Sequence, residues 1–283
     1  MDPEPRDYVV LDVFTSTPLE GNALAVFTDA TGLSDGIMQR AARELNLSET
    51  VFVFAGAEDC DARLRIFTPT AEVPFAGHPV LGTAFLLGVR DAVETVRLGT
   101  ASGVVQVRFE RERDALGYGE MDAPIPTISS FERTAELLAA LGVPRAELPV
   151  EVYDNGLRHV CVTLADERAV GALAPDPNAL RMLGQICVSC FAAEGERCKT
   201  RMFAPALGVV EDPATGSAAG PIALHLARHG RIEFGRRVEL RQGVEVARPS
   251  TLYARVEGGR RGIERVAVGG HAVIVARGSY RLL

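Results

Sequence analysis

Apolar and polar residues alternate with a period of two in "DYVVLDVFTSTPLEGNALAVFTD" on either side of a "TPLEGN" turn, which predicts a strand hairpin. The period then lengthens. "SDGIMQRAARELN" opens on Ser-Asp and carries apolar residues at helical spacing, so a helix is expected there. "SETVFVFAG" and "ARLRIFTPT" return to strand. "HPVLGTAFLLGV" is short and apolar almost throughout, and a helix without a polar face has to be buried on all sides. "TVRLGT", "GVVQVRFER" and "LGYGEMDAP" add strands, and "APIPTISSF", with prolines at 124 and 126, reads as a linker.

Beyond the linker the order recurs. "SFERTAELLAALGV" predicts a helix with a glycine stop, "VEVYDNGLRHVCVTLAD" a strand-turn-strand, and "PNALRMLGQICVSCFAAEG" a helix leading into a strand. "CKTRMFAPALGVVEDPATGSAAGPIALHLARHG" then repeats the strand, proline turn and apolar helix of the first half, and the last third of the chain reads as strand. "RIFTPTAEVPFAGHPVLGTA" can be laid on "RMFAPALGVVEDPATGSAAGPIA" by matching Phe-x-Pro and the glycines, with three extra residues in the second copy. Such self-similarity predicts an internal duplication. The expected fold is α+β, with two pseudo-symmetric lobes, each a mixed β-sheet wrapped around a central apolar helix. The expected lobes are residues 1–122 and 130–265, with the final strand, about 266–283, free to return to the first lobe and an active site in the cleft between them.

Composition narrows the class. At 283 residues and 47% hydrophobic content the chain can build a full core. Its 30 basic and 37 acidic residues give a net charge of -7, with no basic stripe carrying aromatics, so nucleic acid is not the expected partner. No apolar run is long enough to span a bilayer, and "MDPEPRDYVVLDVF" lacks the basic-then-apolar order of a signal peptide, so a cytoplasmic protein without a membrane partner is expected. Five cysteines, Cys60, Cys161, Cys187, Cys190 and Cys198, are an odd number in a chain that needs no staples. Cys187 and Cys190 form a C-x-x-C inside a buried-strand pattern, where small hydrophobes are expected rather than a metal or redox site.

Candidate chemistry gathers at the two glycine-opened helix starts. "FAGHPVLGTAF" marks the first with Gly77 and His78, and "DPATGSAAGPIAL" marks the second with Asp212, Gly216 and Ser217. The start of a helix leaves backbone N–H groups unpaired and partially positive, so small residues there let a carboxylate approach the backbone. Close packing of a central helix explains glycine and alanine in one copy; the recurrence beside His78, Asp212 and Ser217 favours a site for a small carboxylate. Glu49, entering the apolar strand of "NLSETVFV", is either solvated at the strand tip or an enclosed carboxyl usable as a general base. Asp212 can equally serve as a cap or turn residue, and His159 as a core residue. His225 and His229, one turn apart in "ALHLARHG", have metal-ligand spacing, but no third ligand is evident nearby and no metal is expected. No G-x-S-x-G, Walker or dinucleotide fingerprint occurs, which removes support for serine hydrolysis, phosphoryl transfer and hydride transfer.

The bipartite pattern resembles the diaminopimelate epimerase superfamily, in which each half presents a helix mouth to an amino acid and each mouth carries a cysteine. Here the corresponding positions hold Gly77-His78 and Asp212, so epimerisation by two thiols is excluded. "GNALAVF", "LNLSETVF", "RIFTPTAEVPFAGHPVLGTA", "VEVYDNGLRHV", "RMFAPALGVVEDPATGSAAGPIALHLARH" and "QGVEVARPSTLYARVEG" together look like the phenazine-biosynthesis isomerase family along nearly the whole chain. That resemblance implies isomerisation of trans-2,3-dihydro-3-hydroxyanthranilate, a cyclohexadiene amino acid, to its ketone tautomer. It places the proton-shuttling glutamate at Glu49, the active-site histidine at His78 beside Gly77, the essential aspartate at Asp212 and substrate contacts at Gly216 and Ser217. It further implies a homodimer and no metal, flavin or nicotinamide cofactor. A related isomerase acting on a different small amino acid, and a carboxylate-binding protein without turnover, are the other readings.

Overall fold

The computed structural model describes residues 5–112 and 115–282; the acidic first four residues and the last residue of the final predicted strand lie outside these. The first half comprises β1 (Pro5–Val13), β2 (Asn22–Phe27), α1 (Asp35–Leu45), β3 (Glu49–Ala57), β4 (Cys60–Phe67), β5 (Glu72–Val73), α2 (Gly77–Asp91), β6 (Thr95–Thr100), β7 (Gly103–Glu112) and β8 (Ala115–Ala123). Next come β9 (Thr127–Ser130), α3 (Thr134–Leu141), β10 (Glu151–Asp154), β11 (Arg158–Thr163), α4 (Glu167–Gly171), α5 (Pro177–Arg181), β12 (Cys187–Glu194) and β13 (Arg197–Ala204). The chain continues through β14 (Val209–Asp212), α6 (Gly216–Arg228), β15 (Arg237–Gln242), β16 (Ser250–Gly259), β17 (Gly262–Gly270) and β18 (Ala272–Arg281). Two compact units result, Met1–Asp122 with Gly269–Leu283, and Ala123–Val268. The fold is α+β.

Each unit is a mixed sheet with one strand order of pairings. In the first, β1 pairs antiparallel with β2, β2 parallel with β3, β3 antiparallel with β4, β4 antiparallel with the short β5 and parallel with β6, and β6 antiparallel with β7. In the second, β10–β11, β11–β12, β12–β13, β13–β14, β13–β15 and β15–β16 repeat those senses in the same sequence. Strand β18 pairs antiparallel with β1, the position that β9 holds beside β10. The duplicated element is therefore a strand, a short antiparallel return and a helix: β4–β5–α2 and β13–β14–α6.

Those two helices are the cores of their units. All residues from Gly77 to Gly88 of α2 are buried, as its lack of a polar face requires. The helix packs on β1, β2, β3, β6, β7 and β18. It approaches closely at Gly82, where an added Cβ would lie 2.7 Å from both Leu24 Cδ2 and Val13 Cγ2. Gly220 does the same for α6, with an added Cβ 2.6 Å from Val266 Cγ1. By contrast α1 buries one face only, Met38, Ala41 and Ala42, against Phe27, Phe52 and Phe67. Ser34 caps it through the Ile37 N–H, and left-handed Asn46 ends it.

One sequence reading is corrected here. Residues 127–130, expected inside a linker, form β9: the prolines end at 126, so all four residues have an N–H to offer β10. The helix leading into a strand expected in "PNALRMLGQICVSCFAAEG" is present as α5 followed by β12. Among the described residues, no helix is long and apolar enough to cross a membrane.

Candidate functional site

Glu49 is the first residue of β3, opposite Leu24 of β2, where the apolar run Val51–Val53 begins. The strand tip is not a solvated one, since the Glu49 side chain is 18% exposed. Its Oε2 lies 3.3 Å from Nε2 of His78, the second residue of α2. His78 Nε2 is buried without a hydrogen bond. Burial pulls the His78 pKa down to about 3, so at neutral pH the ring is a neutral imidazole and the contact is not an ion pair. That distinction has a chemical consequence. An imidazolium beside Glu49 would lower the carboxylate's basicity, whereas a neutral ring leaves it available as a base.

The mouth of α2 is open in the electrostatic sense. Ala76 precedes the helix in an extended conformation with no side-chain cap, and no acidic residue stands in the first turn. Pro79 follows Gly77 and His78 inside the first turn, where its missing N–H removes no helical hydrogen bond. The backbone donors of Gly77 and His78 belong to that uncapped start.

In the second unit, Asp212 ends β14 and is buried, and its Oδ2 accepts a 2.5 Å hydrogen bond from the Thr215 hydroxyl. Thr215 immediately precedes α6 yet gives its side chain to Asp212 rather than to the helix, which starts at Gly216 without a side-chain cap. Pro221 lies inside α6 and cannot donate to the Ser217 carbonyl four residues earlier. Asn155 fills that gap: its Nδ2 donates to Ser217 O at 2.9 Å. Gln242 of β15 bonds the same loop, donating from Nε2 to Asp212 O and Thr215 Oγ1 and accepting from Thr215 N–H.

Asn155, Thr215 and Gln242 were not singled out from sequence. Gln242 carried a readable signal, because it continues the buried phase Val238–Leu240–Gln242 of an alternating strand. A polar residue in an apolar phase has to find partners.

The histidine pair also differs from its sequence reading. A third group does stand beside His225 and His229: Glu151 of β10, whose Oε2 is 3.3 Å from His225 Nδ1 and 2.9 Å from His229 Nε2. It was missed because it lies more than seventy positions away in sequence. The same oxygen accepts from Arg228 Nη1 at 2.9 Å and Tyr153 OH at 2.8 Å. Burial pushes Glu151 up, but hydrogen bonds from His229 and Tyr153 and the Arg228 charge outweigh it and hold the carboxyl below its ordinary value. His225 is pulled down to about 4, first by burial. A divalent cation at this oxygen would stand against the Arg228 guanidinium, so the cluster is an Arg–carboxylate pair beside the His225 and His229 rings.

All five cysteines are free and buried. Burial pushes the Cys187 thiol up to about 12 and Cys161, Cys190 and Cys198 higher still, so none of these four is a ready thiolate. His159 is a core residue, pulled down to about 4 by burial.

Comparison with known proteins agrees in direction. The family described as Phenazine biosynthesis-like protein matches residues 11–278. A trans-2,3-dihydro-3-hydroxyanthranilate isomerase from Pseudomonas fluorescens is 50% identical over 274 residues, covering 97% of this chain and 99% of that protein. The protein of the same name from Pseudomonas aeruginosa is 51% identical over 271 residues, covering 96% and 98%. A solved structure from Pseudomonas aeruginosa, described as a predicted epimerase, superposes with a TM-score of 0.83 at 35% identity, over 97% of this chain and 99% of that one.

Proposed function

Because the chain belongs to the phenazine biosynthesis-like protein family, we propose that it isomerises trans-2,3-dihydro-3-hydroxyanthranilate to its ketone tautomer. The observation that carries this reading is the Glu49 carboxylate 3.3 Å from a neutral, buried His78 at the uncapped start of α2. Glu49 takes the proton from the hydroxyl-bearing ring carbon, and the released electron pair moves through the diene. The protonated carboxyl returns that proton to another ring carbon. The resulting enol then becomes the ketone, and no electrons are gained or lost. A single base can make both transfers only if the ring is held still.

Holding is the role proposed for the other residues. His78 stands beside the Glu49 carboxyl without neutralising it, and the Gly77 and His78 backbone donors suit the substrate carboxylate. Asp212, an acceptor, suits the substrate amine, with Gly216 and Ser217 as further contacts. Incubation of the purified protein with the dihydrohydroxyanthranilate, without added cofactor, should remove the diene absorbance. An unchanged spectrum would defeat the proposal.

We further propose a homodimer, which light scattering checks as a mass twice the 30.3 kDa of the chain. The five free buried thiols support work in a reducing compartment, the cytoplasm.

A further inference from the structure

We propose that Gln242 is a positioning residue for the reaction, setting Asp212 through the hydroxyl of Thr215. This rests on the reading of Asp212 as a substrate-holding group. Gln242 is 2% exposed at the end of β15, a strand fixed between β13 and β16. Its amide orientation is dictated by its partners. The Thr215 backbone N–H can only donate, so Oε1 must face it at 3.1 Å. The Asp212 backbone carbonyl can only accept, so Nε2 must face it at 2.7 Å.

The second Nε2 hydrogen goes to Thr215 Oγ1 at 2.9 Å. With that oxygen already accepting, the hydroxyl's own hydrogen is directed at Asp212 Oδ2, 2.5 Å away. A relay Gln242 Nε2–H to Thr215 O–H to Asp212 thus fixes a rotor that would otherwise turn. It has a second effect. Thr215 stands in the capping position of α6, and engagement with Asp212 withholds its hydroxyl from the N–H groups of the helix start.

Gly243 supports the same reading independently. It has a φ of 80°, and an added Cβ would lie 2.5 Å from the Pro213 carbonyl and 2.2 Å from that of Arg248. The backbone of the 242–243 turn is therefore pressed against the Asp212–Thr215 loop. A glutamine serving the backbone alone would need only the Asp212 and Thr215 main-chain bonds; the bond to the Thr215 hydroxyl links it to the carboxylate.

The test combines turnover with amide exchange in Gln242→Glu, Gln242→Leu, Thr215→Val and Thr215→Ser. In Gln242→Glu the Thr215 N–H keeps its acceptor, but the introduced carboxylate draws the Thr215 hydroxyl away from Asp212. At about pH 8 kcat should fall roughly 10-fold, the size expected for one lost hydrogen bond to a charged group. As pH falls towards about 5 the introduced carboxyl gains a proton and can donate again. The ratio of variant to wild-type kcat should then rise, which a mere loss of fold would not produce. Thr215→Val should lose a similar factor, and Thr215→Ser should restore it. Full kcat in Gln242→Glu at every pH, or equal rates in Thr215→Val and Thr215→Ser, would overturn the proposal. Absence of turnover in the wild type would instead overturn the functional reading. The hold is then decided by exchange at the Thr215 amide: selective loss of protection in Gln242→Leu supports it, and unchanged protection overturns it.

Discussion

Asn155 donates to the carbonyl of Ser217, the group that Pro221 leaves without a partner inside α6. One side chain from the β10–β11 turn thus repairs the ladder of a helix sixty-two positions away. Asn155→Ala should cost about 1 kcal/mol, the usual net worth of such a bond. In a Pro221→Ala background the helix supplies its own N–H to Ser217, and the cost of Asn155→Ala should shrink towards zero. Urea unfolding of the four proteins checks this, and additivity across the cycle would refute the pairing.

Close approach of α2 to its sheet predicts a different kind of cost. Gly82→Ala should gain about 1 kcal/mol of helix propensity in isolation. Here the added methyl meets Leu24 and Val13, both fully buried, at 2.7 Å. Overpacking of this kind costs about 1–3 kcal/mol, so the net change should be destabilising. A raised melting temperature in Gly82→Ala would contradict the packing described.

Acid sensitivity follows from three histidines held neutral by burial: His78 at about 3, and His159 and His225 at about 4. Each has a folded pKa below its ordinary 6.5, so between those limits the unfolded chain binds more protons. Stability should therefore be fully present above about pH 6.5 and fall as pH drops towards 4. His159→Met, which fills similar space without titrating, should flatten part of that slope. A denaturation midpoint flat between about pH 7 and 4.5 would count against neutral burial of these rings.

Much of this architecture is legible in the sequence. Period-two runs gave the strands, the faceless apolar helix required burial, and the repeated Phe-x-Pro and glycines disclosed the duplicated β4–β5–α2 and β13–β14–α6 elements. The helix starts marked by His78 and Asp212 were visible for the same reason: they break an otherwise small and apolar pattern. What remained hidden depends on tertiary partners. Nothing near Ser217 announces that Asn155 will repair its carbonyl, and nothing near His225 announces Glu151. Glu49 alone could be solvated or enclosed, and only the packing of α2 against β3 decides it. The 127–130 strand was misread because the prolines at 124 and 126 suggested a linker, although they stop before its first hydrogen bond.

Glu49 carries the sharpest expectation, since it must both accept and return a proton while His78, Asp212 and Ser217 chiefly orient. Glu49→Gln keeps the size and most of the hydrogen bonding but removes the basic carboxylate. Substrate binding should persist while kcat falls by at least ~100-fold, typical of losing a general base. In heavy water the wild type should place deuterium at the acceptor carbon only as far as the protonated carboxyl exchanges before returning its proton. Partial label fits one shielded base, and the 18% exposure of the Glu49 side chain favours that outcome. Complete label would point to a solvent-connected acid at the second step. Near-normal turnover in Glu49→Gln would refute the mechanism and make Asp212 the next base to test.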